Sequence, residues 1–447
     1  MDARTVRWTC ALGVFAVCAV AQAAPPPFVP SPDLQHDVIA HDIGAIGLQV
    51  FFDEMSWTSF NALNWPAAAG ARGIPDRDNL VGGRPPSAEG GGGMPNGPTV
   101  WETYKNTNDV FLNPPVAPPP WSTPDRVPSF CTVKVAPGTK VMTIHNEAFS
   151  VELNDQKGKN VWYEVRINQR EFDFIVQNQY YDSRKQPPVI TFPVGSNQTA
   201  EVGPVHVKAA WKELTPAEAA SGRFYVNSAL LVDPKLNPPC RFVQSMGLVG
   251  LHIVHKTASR PEWVWSTFEQ IDNAPDVGAT PRQAYSFYNP VCANCKVNQP
   301  PATPTTPTQV ERVTPVDSAA KGKNDAYQAY FASASTSKVK NVWQYYQLVN
   351  AQWPAEPQSV ATYGHPVPTF LANTVLETYF QPPVKADPPH SCMDCHGEYT
   401  MTPSFTQPFG TTDFYFQLTK ACPAAQWCQS KHPVAAIPPG LPKAIKH

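Results

Sequence analysis

Charge is scarce in this chain. Only 16% of its 447 residues are Asp, Glu, Lys or Arg, and the formal balance is -2 at pH 7. With no basic excess there is no electrostatic case for nucleic acid or an anionic membrane surface as partner. Long apolar runs are missing too. Beyond the first two dozen residues no stretch approaches the roughly 18 apolar residues of a transmembrane helix, so no transmembrane segment is expected. Several catalytic signatures are absent: no Gly-x-Ser-x-Gly elbow, no His-Glu-x-x-His, no matched cysteine quartet. Gly90 to Gly93 are not followed by Gly-Lys-Ser/Thr, so they read as a flexible connection rather than a phosphate cradle. The acidic residues are too scattered to nominate a glycosidase pair.

What the chain has in quantity is proline and aromatic residues. Fifty-one prolines imply many irregular connections, and 12 tryptophans in an 11% aromatic composition supply a sizeable core. The N-terminus reads as an export signal over 1–23. Arg4 and Arg7 precede an apolar segment from Trp8 to Val20, and Ala21-Gln22-Ala23 is a small-x-small cleavage site. Val17 before Cys18 does not suit a lipid anchor. The expected destination is therefore exported and periplasmic, an oxidising compartment in which cysteines pair. Of ten cysteines, Cys10 and Cys18 leave with the signal.

Among the eight that remain, Cys392-Met393-Asp394-Cys395-His396 reads C-x-x-C-H, the attachment signature of c-type haem. Two thiols three residues apart share one face of a helical turn and reach the two vinyl groups of one haem. His396 follows as the proximal iron ligand. The other six cysteines are an even number suited to disulfides, with Cys422 and Cys428 expected to pair locally. A second C-x-x-C, Cys292 to Cys295, is followed by Lys296 in place of histidine, and a disulfide is the expected reading rather than a second haem.

The occupant of the second axial position separates an electron carrier from a catalyst. Met401 lies only five residues past His396, too close to cross to the opposite face of a haem. The distal candidates are therefore His252, His255, His145, His365 and His390, with His206, His432 and His447 behind them. On a strand, a spacing of three sends His252 and His255 to opposite faces, so they do not bind one metal together. Each histidine also has a plainer reading as a hydrogen-bonded core or edge residue.

Pattern predicts an α+β fold: a β-rich central body with peripheral helices and a small helical C-terminal haem segment. Helices are expected over 48–65, at 101–105, from Asn168 through Tyr180 behind an Asn-x-x-Glu cap, and from Pro261 with Trp263, Trp265, Phe268 and Ile271. Strands are expected within 131–153 and over 159–167, 189–194, 205–214, 224–232 and 246–255. The body, 24–298, is expected to end at a Pro/Thr linker over 299–309. Beyond it, 310–447 is expected to be helical, with helix-rich sequence over 326–353 and a further helix over 370–379.

Five segments together resemble a group of large exported bacterial proteins known as the cytochrome c family. They are Phe60 to Pro66, Trp101 to Lys105, Leu248 to Lys256, Trp263 to Asn273, and Leu371 to Tyr379 leading into the C-x-x-C-H. The resemblance spans most of the chain and implies export, one covalent haem near the C-terminus and no assigned substrate. The function expected is electron transfer with a redox partner protein or small redox molecule. The alternatives are a haem enzyme with an open distal position and a haem-based sensor.

Overall fold

A computed structural model describes residues 30–38, 45–79, 97–136, 138–144, 151–187, 189–280, 285–292, 294–333, 341–358, 364–381, 391–398 and 412–421. The expected export signal and its cleavage site, Gly90 to Gly93, His145, His390, Met401, Cys422, Cys428, His432 and His447 lie outside them. The architecture is a nine-stranded, largely antiparallel sheet with few helices, a β-rich α+β body.

The strands are β1 (Lys105–Asn106), β2 (Lys140–Met142), β3 (Trp162–Ile167), β4 (Val205–Glu213), β5 (Val226–Val232), β6 (Cys240–His255), β7 (Val264–Gln270), β8 (Tyr346–Pro354) and β9 (Pro366–Val367). The main path runs β1-β3-β4-β6-β7-β8-β9. The 16-residue β6 pairs β4 along one side. Its other side takes β5 through the first half and β7 through the second, and β2 adds to β5 in parallel. A disulfide from Cys131 to Cys240 ties the start of β6 to the loop ahead of β2.

One face is covered by two helices. Helix α1 (Ala45–Leu63) lays Phe52 on Trp353, ring centroids 4.5 Å apart, and Trp57 edge-on to Phe268 at 5.1 Å. The second, α4 (Ser318–Ser333), buries Ala320, Asn324, Tyr327 and Phe331, a spacing of three and four that keeps one stripe inward. Between these in sequence, α2 (Gln169–Gln177) starts where Asn168 accepts a hydrogen bond from the Glu171 amide, as the cap pattern predicts, and α3 (Pro216–Ala220) carries a complete Thr215/Glu218 capping box.

Several expectations need correction. The helix expected from Pro261 is strand β7, all seven of whose residues are buried. Both faces of this buried strand mix apolar and polar residues, Val264 and Phe268 with Ser266 and Gln270 on one and Trp265 with Thr267 and Glu269 on the other, so the period-2 signal vanishes and Trp265 and Phe268 mimic a helical spacing. For the same reason the helix-rich reading of 326–353 holds only for the end of α4, and 346–354 is β8. The 370–379 segment is a run of turns closed by a 3-10 turn at Thr378–Phe380, and 101–105 is a 3-10 turn at Trp101–Thr103 running into β1. No strand forms over 189–194, and of 131–153 the described strand is β2 alone. The region 310–447 is not simply helical. Its β8 hydrogen-bonds β7, so the sheet runs across the expected boundary at 299–309. That segment packs on the body, where Asn154 Nδ2 donates to Pro304 O at 3.0 Å and Thr306 O at 2.9 Å.

Candidate functional site

The face of the sheet opposite α1 is laid out in rows by strand register. The first row crosses Ile167, His206, Val254, Trp265 and Gln352, and the second crosses Val165, Lys208, His252 and Thr267. The third crosses Tyr163, Ala210, Gly250, Glu269 and Gln347. Turns over 373–377 sit on the third row. Gly250 is glycine because Val375 lies directly above it; a Cβ there would stand 2.6 Å from Val375 Cγ2. Thr374 N–H donates to Glu269 Oε1 at 2.6 Å and Tyr163 Oη–H to Val375 O at 3.1 Å.

The C-x-x-C-H motif forms the short helix α5 (Cys392–Glu398) above the first row. Ser391 starts it: its Oγ accepts from the Asp394 amide at 3.1 Å and donates to Asp394 Oδ2 at 2.6 Å. Met393, one of the two residues between the cysteines, is fully buried, and its amide donates to Gln352 Oε1 at 2.9 Å. That bond and the burial of Met393 among Val254, Trp265 and Phe414 fix α5 to the sheet. Cys392 and Cys395 remain thiols. Burial, reinforced by the nearby Glu377 carboxylate, pushes the Cys392 thiol well above its ordinary range. In contrast, Cys292 and Cys295, with the same spacing, form the expected disulfide.

His396 lies between Trp265 and Phe416, with ring centroids 4.5 Å from each. Its Nδ1 is 2.7 Å from the Phe414 carbonyl oxygen. A carbonyl only accepts, so Nδ1 carries the proton and the lone pair of a neutral ring is on Nε2. The ring is neutral: loss of water around it drives its pKa down to about 3, only partly offset by the bond to Phe414 O. A neutral imidazole with Nδ1 engaged by a carbonyl is the form in which histidine binds iron, and the engaged nitrogen sets its orientation.

The carbonyl itself is held by the 412–421 segment. Asp413 accepts from the Phe192 amide at 2.7 Å and pairs with Lys256 Nζ at 2.8 Å, and its own carbonyl accepts from Trp263 Nε1 at 3.0 Å. Asp413 and Phe414 have φ of 55 and 64, a left-handed turn that points Phe414 O at His396.

The described distal candidates separate cleanly. His252 is on the α5 side of the sheet, one row from Trp265, and its Nε2 is 2.7 Å from Glu377 Oε1. His255 is on the opposite face, buried with neither ring nitrogen hydrogen-bonded, so the expected divergence of the two holds. His365 lies in the turn before β9, with Nε2 3.5 Å from Glu356 in an exposed pair. Sequence reasoning undervalued His206. Register puts it in the first row, 6.5 Å from Trp265 between ring centroids and 5.3 Å from Tyr415, with Nδ1 3.6 Å from Glu171. It also missed Trp265, Gln352, Phe414 and Lys208. The alternation of 205–214 does carry the signal that His206 and Lys208 share a face, but not which face α5 covers.

Among the described residues no group of three or more His, Cys, Asp or Glu side chains is arranged to hold a bare metal ion, and no helix is long and apolar enough to cross a membrane. The chain matches no protein-family model, and neither a search of curated proteins nor one of solved structures found a match.

Proposed function

We propose that this protein is an exported, periplasmic monohaem c-type cytochrome that transfers electrons. In this reading Cys392 and Cys395 hold the haem as thioethers and His396 is its proximal ligand, on a small helical segment packed against the α+β body. The observation that carries it is the geometry of His396, which follows two thiols on one helical turn and gives Nδ1–H to Phe414 O at 2.7 Å, so that Nε2 is the nitrogen that would meet iron. The residues present fit the group, since two thiols on one helical turn precede that imidazole.

Bound there, haem supplies a one-electron iron couple. The chain's own residues set its surroundings. Trp265 and Phe416 pack against the His396 ring, Phe414 O fixes the proton on Nδ1, and Gln352 holds α5 in place through the Met393 amide. The partner is a redox protein or small redox molecule.

The test is the double variant Cys392→Ser/Cys395→Ser, assayed by denaturing-gel haem stain and the pyridine haemochrome spectrum. Covalent haem is expected at one per wild-type chain and none per variant chain. A variant that still carries covalent haem sinks the assignment.

A second reading, a haem enzyme acting on a small oxidant or reductant, is favoured by one feature. His252 and Glu377 form a half-buried imidazole–carboxylate pair on the α5 side of the sheet, an arrangement suited to moving a proton. Rapid carbon monoxide binding to the reduced protein favours an open iron, as in an enzyme or a sensor, which turnover with candidate substrates then divides, and a low-spin spectrum indifferent to carbon monoxide favours the carrier.

A further inference from the structure

The loop that carries Cys292 and Cys295 is closed at its base by bonds that do not involve sulfur. Gln309 takes the Asn289 amide on Oε1 at 3.0 Å and returns an Nε2–H to the Asn289 carbonyl at 2.9 Å. At the other end Asn298 Nδ2 donates to Glu311 O at 2.9 Å, and its Oδ1 accepts from the Glu311 amide at 3.1 Å. Gln309 and Asn298 are both buried, and Val297 bridges Gln309 in parallel register. Between these two clamps the disulfide joins residues only 3 apart, so it closes a loop too short to stabilise the fold by much.

Cys131–Cys240 is the opposite case. It spans 109 residues, and Cys240 is buried at the start of β6. In the short bridge Cys295 is exposed and Cys292 half-buried, so an incoming thiol meets Cys295 first. Val291, next to Cys292 in the chain, is 85% exposed, and the described residues leave this edge of the loop uncovered. Lys296 follows Cys295 directly, and the sequence holds no carboxylate between Asp276 and Glu311. A C-x-x-C spacing beside a cation favours the thiolate form on which exchange depends.

We propose that Cys292–Cys295 is a thiol–disulfide exchange site that takes two electrons from a dithiol. The inference is independent of the haem reading. A thiolate of the dithiol attacks Cys295 Sγ and forms a new S–S bond to it as the Cys292–Cys295 bond breaks. The electron pair leaves on Cys292 Sγ, which picks up a proton. The second thiolate of the dithiol then attacks its own sulfur in the mixed disulfide and releases Cys295, which is protonated in turn. The dithiol ends as a disulfide, and the chain gains two thiols. Because the clamps at Asn289 and Asn298 hold the loop base throughout, the two cysteines stay close enough to reoxidise. A bridge serving only the fold sits where Cys240 does, out of reach of solvent.

The experiment treats the native protein with reduced thioredoxin or with dithiothreitol, then quenches it in acid and alkylates it for peptide mass spectrometry. Cys292 and Cys295 are expected to gain one alkyl group each while Cys131 and Cys240 gain none, and oxidised glutathione should restore the bridge once the reductant is removed. Opening by either dithiol supports the site, and the faster of the two shows whether the dithiol is protein-borne or small. With reduced glutathione, a monothiol, the mixed disulfide is expected on Cys295; an adduct on Cys292 overturns the step as written. The urea midpoint of the alkylated chain should lie close to that of the untreated protein, which separates exchange in the folded state from exchange after unfolding. A Cys292–Cys295 bridge that resists both dithiols until urea unfolds the chain, or that opens only together with Cys131–Cys240, overturns the proposal.

Discussion

Asp413 should be worth more to this protein than its place in a short surface-crossing segment suggests. Its carboxylate accepts from the Phe192 amide and pairs with Lys256, whose side chain is 1% exposed. Truncation in Asp413→Ala leaves that ammonium buried, with the Pro261 carbonyl and the Trp263 ring as its neighbours. Breaking a buried pair from one side costs about 3–5 kcal/mol, because the surviving charge has lost its compensation. Replacing both partners by apolar groups of similar volume costs far less, and on the same reasoning Lys256→Met/Asp413→Leu should lie within about 1 kcal/mol of wild type. Urea unfolding of the two singles and the double gives the coupling directly. The same variants report on the site, because Asp413 and Phe414 form the turn that presents a carbonyl to His396 Nδ1. Asp413→Ala should therefore change the nitrogen chemical shifts of His396 as well as the midpoint. A single variant costing under about 1 kcal/mol, or a double no better than the single, refutes the argument from burial.

Two further outcomes follow from buried groups elsewhere. Asp53 on α1 is fully buried, with Oδ1 accepting from Gln49 Nε2 at 2.9 Å and Oδ2 unpartnered, and burial lifts its pKa to about 7. Between about pH 4 and 7 the folded state keeps a proton that the unfolded chain releases, so stability falls as pH rises through that window. Asp53→Asn should flatten this slope, recovering of the order of 3–4 kcal/mol at pH 8 relative to pH 4; a stability profile identical to wild type in chemical denaturation across that range counts against it. Cys292→Ser/Cys295→Ser removes a disulfide that closes a very short loop, so it should lower stability only modestly and leave haem stoichiometry unchanged. Loss of haem from that variant on mass spectrometry would restore Cys292-Cys295-Lys296 as an attachment site.

How much of this was legible in the sequence divides along a physical line. β3, β4, β5 and most of β6 alternate enough to be found, and Asn168 announces α2 by its cap. The two long strands that escaped, β7 and β8, are buried along nearly all of their length, and no clean alternation marks them. That loss matters for function, because Trp265 is on β7 and Gln352 on β8, and they form the floor under α5. The motif gave three residues of the site through local spacing alone. Its remaining parts come from strands and turns between about 18 and 190 positions away, and no local pattern encodes which of them meet.

The register also explains why so large a body surrounds one short helix. Seven residues of α5 bury little surface of their own, and a helix that short does not hold its shape unaided. Its geometry is imposed from beneath, by Gln352 on the Met393 amide and by Trp265 on His396, and from the side by Phe414 O. The three supports belong to β8, β7 and the 412–421 segment, and each is tied independently: β8 to α1 through Phe52 on Trp353, β7 to β6 along six residue pairs, and 412–421 through Asp413 to Lys256. A free-standing motif would let its imbedded imidazole rotate and exchange its Nδ1 proton with water. Here rotation of the ring must break a bond to a carbonyl that is itself braced by a buried ion pair, so the orientation of His396 is a property of the whole sheet rather than of the five residues that announce it.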